Sequence, residues 1–400
     1  MRRVYLDNNA TTRMDPRVLE AMSPHFLQDF GNASSIHEFG QQAREAVETA
    51  RQAVADLIGC LPKEIVFTSG GTESDNTALR GIAAGHSAKG RHLVTTTIEH
   101  PAVLRTMEQL EEEGFRVTYL PVDRQGLIRL EDLHAAVRED TILISIMHAN
   151  NETGAIQDLR AVGRLAREKG ILFHSDAVQS AGKIPVDVND LGVDLLSLSA
   201  HKIHGPKGAG ALYIRHGVEM MSLLLGGSHE RGRRGGTENV PGIVGLGKAA
   251  ALAKDGLADF DHRVRSLRDR LETGLLERIP QARINGSTLR RMPHTTNLSF
   301  RGVEGEALLI SLDLQGIAVS TGAACSSGSL EPSHVLKAMG FQNRRVESAL
   351  RLSLSRLTTE KEITTALDVL PSTVQRMREL SPLYRESRNR VQREGQRAHS

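Results

Sequence analysis

Between residues 60 and 215, short apolar runs alternate with longer amphipathic stretches, and this constrains the chain more than any other feature. Apolar runs at 64–68, 92–97, 115–120, 141–147, 171–174, 194–199 and 210–214 have the length of strands. Between them, 101–113 and 159–169 carry apolar residues at helical spacing. Strands separated by helices cannot pair as simple hairpins, so the pattern predicts an α/β fold with a largely parallel sheet covered on both faces. After about residue 255 the pattern changes. An amphipathic helix over 256–278 leads to short strands at 296–300, 317–320 and 349–353, with helices at 305–315 and 359–380, which is an α+β arrangement.

Four hundred residues exceed what a single small core organises. The reading is a large domain over 13–255, built on a seven-stranded, mostly parallel sheet, and a smaller α+β domain formed by 1–12 and 256–382. The stretch 383–400 is rich in Arg, Glu and Gln without apolar periodicity and is expected to be disordered. A formal net charge of +2 supplies no field that would draw nucleic acid. There is no Trp, and the few Tyr and Phe are scattered, so stacking platforms for single strands are not supported either. Two cysteines, Cys60 and Cys325, are too few for a disulfide framework or a Cys-rich zinc site. One bridge between them stays open, but a reduced protein is the better expectation. Charges precede any signal-like apolar stretch and no run is long enough to span a bilayer, so a cytoplasmic protein without a membrane partner is expected.

In open α/β sheets ligands bind beyond the carboxyl ends of the strands. Five such ends here carry polar or ionisable residues: Ser69-Gly70-Gly71-Thr72-Glu73, Glu99-His100-Pro101, Asn150-Asn151-Glu152, Asp176-Ala177-Val178-Gln179 and Ser199-Ala200-His201-Lys202. Their coincidence, more than any single one, marks a site. Taken singly, Ser-Gly-Gly-Thr before a helix is a phosphate cradle or an ordinary capped turn. Asp176 is a partner for a cationic heterocycle nitrogen or a helix cap. His100 is an acid/base or a packed loop histidine. His174, His201 and His204 lack a supporting carboxylate motif, so no intrinsic metal is expected.

Lys202, between an apolar strand and the turn Ile203-His204-Gly205-Pro206, fits a partly buried amine able to form a Schiff base. Cys325 sits in Ser320-Thr321-Gly322-Ala323-Ala324-Cys325-Ser326-Ser327-Gly328-Ser329, without apolar neighbours that would hold it in a core. A loop of that kind, about 320–334, suits a thiol nucleophile that must travel. Cys60, in Leu57-Ile58-Gly59-Cys60-Leu61, reads instead as a small packed hydrophobe.

These blocks, together with Tyr5-Leu6-Asp7-Asn8-Asn9-Ala10-Thr11-Thr12, Arg231-Gly232-Arg233-Arg234-Gly235-Gly236-Thr237-Glu238-Asn239 and Leu330-Glu331-Pro332-Ser333-His334, resemble the cysteine desulfurases of the class V aminotransferase superfamily, the fold-type I pyridoxal-phosphate enzymes, and most closely their nitrogen-fixation type. The likeness runs to about Pro382. It implies pyridoxal 5'-phosphate as cofactor, L-cysteine as substrate, and L-alanine plus a persulfide on Cys325 as products. Lys202 would bind the cofactor covalently and Asp176 would face its ring nitrogen. His100 would stack on the ring and share proton transfer, and Gln179 would meet the ring hydroxyl. Gly71, Thr72, Ser199 and His201 would hold the phosphate, joined by Thr237 of a second subunit in a homodimer. Asn151 would touch cofactor and substrate, and Arg351 would fork onto the substrate carboxylate. An iron–sulfur scaffold or another sulfur-acceptor protein would take the sulfur, and Cys325 would contact a cluster only during transfer; the 231–239 block and the cysteine loop lean toward nitrogen fixation by resemblance, with general iron–sulfur assembly and tRNA thiolation left open.

The segment Ser320-Thr321-Gly322-Ala323-Ala324 departs from the family's usual Ser-Ser-Gly-Ser-Ala, and the Arg-rich tail matches no family pattern. Two rival readings remain: a cysteine or cystine C–S lyase or selenocysteine lyase on the same scaffold, and a catalytically silent sulfur-relay scaffold.

Overall fold

The structure, a computed structural model, describes residues 3–321, 332–380 and 384. Its twelve strands are β1 (Val4–Tyr5), β2 (Ile65–Thr68), β3 (His92–Thr96), β4 (Arg116–Leu120), β5 (Thr141–Ser145), β6 (Leu172–Asp176), β7 (Leu195–Ser199), β8 (Gly210–Ile214), β9 (Ala282–Ile284), β10 (Thr295–Phe300), β11 (Ile317–Ala318) and β12 (Ala349–Ser353). Strands β2 to β8 form one seven-stranded sheet in the order β2-β8-β7-β6-β5-β3-β4. All its pairings are parallel except the two made by β8, which runs against both neighbours. The large sheet is therefore the mostly parallel, helix-covered one that the alternation predicts. A smaller antiparallel sheet, β12-β10-β9, and the parallel pair β1-β11 make up the α+β part.

Both faces of the large sheet are buried. One is covered by helices Gly71–His86 and Pro101–Glu112 through Leu79, Ile82, Val103 and Met107. The other is covered by Leu159–Lys169 and by a pair the sequence reading did not identify, Glu38–Ile58 and Val240–Asp255. The first of that pair is the longer. His37 caps it by accepting from the Gly40 N–H, it buries Ala43, Val47, Ala50 and Val54 along one stripe, and it stops at Gly59 in the left-handed region. Its stripe of small residues allows close approach to the second helix. A Cβ added at Gly247 would lie 2.5 Å from the Ala50 Cα.

The helix expected over 256–278 is interrupted. A short turn Leu257–Asp259 runs into a π-helical segment Phe260–Val264 before the α-helix Arg265–Arg278 resumes. The wider turn rotates the apolar face, so that Phe260 and Val264 both enter the small core beside Leu298, Leu350 and Ile363. Phe260 also meets the His294 ring at 5.6 Å. Leu6, just past β1, lies in this same core, which carries the residues that follow it, Asp7 to Thr12, across to the mouth of the large sheet. Among the described residues no helix is long and apolar enough to cross a membrane.

Gly247→Ala forces the 240–255 and 38–58 helices apart and is expected to cost about 1–3 kcal/mol, as overpacked cores do. Denaturant unfolding beside the parent protein measures it, and an unchanged midpoint would show that the helix pair has slack there.

Candidate active site

The carboxyl ends of β5, β6 and β7 converge on the chain segment Asn9–Thr12, with the end of β2 packed beside that of β7. At the end of β2, Gly70 precedes helix Gly71–His86 without a side-chain cap, leaving the first amides of that helix open to an anion. The glycines are sterically required. A Cβ on Gly71 would meet Val178 Cγ2 at 2.8 Å, and one on Gly210 would meet the Gly70 Cα at 2.5 Å. Ser199, ending β7, lies close by, since its Oγ would be 3.9 Å from a Cβ on Gly70. Thr72 is in the first turn of the helix. His201 lies at the same end, with Nδ1 3.1 Å from Thr11 Oγ1. Burial, with Lys202, Lys207 and Lys183 nearby, pushes this imidazole down to about 4.

Lys202 occupies a 3₁₀ turn, Ala200–Lys202, directly after β7. Its amine donates to the carbonyl oxygens of Asn9 at 2.6 Å and Ala10 at 2.8 Å. Asp176 is the last residue of β6 and buried. Its Oδ1 accepts from the Val178 N–H at 2.8 Å. Burial pushes this carboxyl up to about 6, against the opposing pull of the Val178 N–H and Lys202. Behind it lies Asp75, fully buried, whose Oδ1 has no hydrogen-bond partner and sits 3.6 Å from His174 Nε2. Burial pushes His174 down to about 3, so that contact is not an ion pair, and Asp75 is raised by burial and by Asp176.

His100 caps helix Pro101–Glu112, its Nδ1 accepting from the Ala102 N–H at 3.1 Å. Burial, helped by Lys202 and His334, lowers it to about 4. The ring is therefore neutral near pH 7 with its proton on Nε2. Gln179 donates through Nε2 to the Asn9 carbonyl at 3.0 Å. Asn151 follows β5 in a turn built by Asn150, whose Oδ1 accepts from the amides of Glu152 and Thr153. The Asn151 carbonyl accepts from Asn9 Nδ2 at 2.9 Å and from the Arg351 guanidinium at 3.1 Å. Arg351, on β12, is fully buried, donates to Asp7 Oδ1 at 2.7 Å, and has an Nε with no partner.

Thus Lys202, Gln179, Asn151 and Arg351 come together through direct bonds or shared partners, and Asp176 and His100 lie within the field of Lys202. Thr237 does not join them within the chain, being exposed just before helix Val240–Asp255. Cys325 lies outside the described residues, as do most of its loop and of the tail expected at 383–400. The described flanks of that loop are both attached to the site. Ser320 exchanges backbone hydrogen bonds with Arg351, and His334 Nε2 is 3.0 Å from the carbonyl oxygen of Glu99, the residue before His100. Cys60 packs half-buried against the large core, and burial with Glu64 and Asp56 raises its thiol to about 12. Among the described residues no cluster of His, Cys, Asp and Glu suited to a metal is present.

Sequence reasoning assigned no role to Asn9, Ala10 or Thr11, although the polar run directly after an apolar strand was the available signal. It also missed Lys183, buried beside Gln179.

A chain-length comparison fits this geometry. The model of the class-V aminotransferase family matches residues 4–365. The cysteine desulfurase IscS of Methanosarcina thermophila is 52% identical over 380 residues, covering 95% of this chain and 94% of its own. A cysteine desulfurase IscS from Anaeromyxobacter sp. is 53% identical over 385 residues, covering 95% of each chain. Among solved structures, a NifS-like protein superposes with a TM-score of 0.88 at 43% identity, covering 93% of this chain and 99% of its own. The chain belongs to the class-V aminotransferase family of fold-type I pyridoxal-phosphate enzymes and, within it, to the cysteine desulfurases. Its site fits that cofactor. The glycine cradle at a helix amino terminus suits a phosphate, and the buried Asp176, with no side-chain cation bonded to it, suits a ring nitrogen that carries a proton.

Glu99 gives a test of how the site's buried acids act on stability. It is fully buried, accepts from Thr96 Oγ1 and the Met147 N–H through Oε1, and is pushed by burial up to about 8. Its folded value lies above the ordinary 4.5, so from pH 4.5 to about 8 the native state holds a proton that the unfolded state has lost. The contribution of Glu99 to stability therefore falls as pH rises through that window. Subtracting the unfolding free energy of cofactor-free Glu99→Gln from that of the parent should give a difference that declines between about pH 5 and 8. A pH-independent difference would mean that Glu99 is ionised in the fold.

Proposed function

We propose that this enzyme desulfurates L-cysteine in the cytoplasm, that Cys325 takes the sulfur as a persulfide, and that the sulfur passes to an iron–sulfur assembly scaffold or another acceptor protein. Overall, the Cβ–Sγ bond of the substrate breaks and a sulfur–sulfur bond to Cys325 forms. One thiol hydrogen ends on the persulfide and the other balances the methyl group of L-alanine, so no external oxidant is required. The observation that carries the reading is the attachment of both described flanks of the Cys325 loop to the site, through Ser320 on Arg351 and His334 on Glu99. A β-eliminating lyase has no need to tether a thiol loop there.

Bound pyridoxal phosphate supplies a carbonyl that condenses with amines and a ring that withdraws electrons from the substrate Cα. Lys202 would be the amine that holds it and would serve as the base for the Cα proton. Gly71, Thr72, Ser199 and His201 hold the phosphate. Asp176 faces the ring nitrogen and Gln179 the ring oxygen. His100 would cover the ring and, neutral with its proton on Nε2, could donate a hydrogen bond there. Arg351 receives the substrate carboxylate, and Asn151 steadies both Arg351 and the bound molecules.

The unit is a homodimer in this reading. Thr237 is exposed, and Phe26, Leu27, Phe30, Ile36 and Leu225 are exposed apolar residues that a second copy would cover. Sedimentation equilibrium should return twice the 43.6 kDa chain mass.

The deciding experiment supplies L-cysteine and a thiol reductant and quantifies sulfide, alanine and pyruvate. Alanine equal to sulfide, abolished in Cys325→Ala with the yellow chromophore retained, is the expected outcome. Pyruvate that survives in Cys325→Ala would establish the lyase instead. Lys202→Ala should lose the chromophore, and an unbleached variant would remove that residue from its role. Arg351→Lys keeps the charge but not the fork, so KM for L-cysteine should rise about tenfold, the scale of one charge-assisted hydrogen bond. An unchanged KM would place the carboxylate elsewhere.

A further inference from the structure

Lys183 lies in the turn that follows Gln179 and is 4 % exposed. Its amine has one hydrogen-bond partner among the described residues, the Oε1 of Gln179 at 3.1 Å. On its other side is a cavity of about 20 Å³, shared with Lys202, Asn8 and Thr12, which has room for one water. A lysine buried without a carboxylate is costly, and a Leu or Met would fill the same space more cheaply. Burial, with Lys202 and Arg351 as cationic neighbours, pushes the amine well below its ordinary range. Charged or neutral, an amine offers N–H donors.

The contacts of Gln179 explain the cost. A carboxamide has one accepting end and one donating end, and the two exchange when the group turns over. The carbonyl of Asn9 can only accept, so it requires the N–H end, which it meets at 3.0 Å. The Lys183 amine donates to the oxygen end, which it meets at 3.1 Å. The two demands select the same orientation from opposite sides. With Asn9 alone, the second N–H of Gln179 and its oxygen would be free to settle on whatever else entered the site.

We propose that Lys183 is a positioning residue that fixes the Gln179 amide with its N–H end turned toward Asn9 and the cofactor ring oxygen and its carbonyl turned away. This rests on reading Gln179 as a cofactor contact, and the two ideas fail separately. The holoenzymes of Gln179→Ala, Lys183→Met and the double variant are compared by the visible absorption of the bound cofactor and by its rate of loss on dialysis. Lys183→Met should shift the absorption in the direction seen for Gln179→Ala and speed cofactor loss about three- to tenfold, the range of one hydrogen bond. In the Gln179→Ala background it should add nothing further, because two residues acting through one contact are not additive. Additive effects, or a Lys183→Met spectrum identical to the parent while Gln179→Ala moves, would overturn the proposal. A Gln179→Ala holoenzyme identical to the parent would instead remove the reading of Gln179 itself. If Lys183→Met does not fold, Lys183→Arg decides, since a guanidinium can only donate and so keeps the same demand on the Gln179 oxygen. Its cofactor absorption and rate of cofactor loss should stay within about twofold of the parent's. Values matching those of Gln179→Ala would overturn the proposal.

Discussion

Everything at this site is referred to one residue, Asn9. Its main-chain carbonyl accepts from both Lys202 and Gln179. Its side-chain amide donates to the Asn151 carbonyl and to Thr295 Oγ1, its Oδ1 is 2.8 Å from His294 Nε2, and its backbone N–H donates to Ser353 Oγ. Residues that follow three strands of the large sheet, and residues at the ends of two strands of the small one, thus share the backbone and the carboxamide of one residue. Because each polar atom is buried, loss of any partner leaves a desolvated group behind, and the arrangement is cooperative. Leu6, three residues earlier, anchors the segment in the small core. The Lys202 amine is thereby tied to the packing of the small core.

The cluster of buried acids opposes this order. Asp176, Asp75 and Glu99 lie within one another's fields, and no Lys or Arg forms an ion pair with them among the described residues. Such groups are retained at sites where a positive partner arrives with a ligand, since an apolar replacement would otherwise be more stable. The raised Asp176 is thereby suited to meet a cationic ring nitrogen.

Much of the large sheet was legible because each strand is short, apolar and flanked by polar turns. β8 matches its expected span, and β2 to β7 shift by one or two residues at their ends. Function was legible for a related reason, since chemistry collects where strands stop. What escaped notice has physical causes. Helix 38–58 buries alanines and valines among many charged residues, which gives its stripe little contrast. The π segment 260–264 changes the register of a pattern that reads on paper as one helix. Asn9 and Lys183 act through tertiary contacts to residues more than a hundred positions away or to a neighbouring side chain, and no local spacing encodes such contacts. Thr237 was assigned through resemblance, and its exposure in a single chain fits a role completed only by a second copy.

The reversed strand β8 has a consequence for where negative charge can settle. A strand that leaves the sheet at the site can launch a helix there and aim its positive end inward. β8 enters the sheet at that edge instead, beginning with Gly210 packed against Gly70, and its neighbour β7 is followed only by a short 3₁₀ turn. On this side of the mouth, among the described residues, the helix starting at Gly71 is the one whose first turn faces the β2–β8–β7 edge. The direction of one strand thus decides which main-chain amides are open there, by topology rather than by side chains.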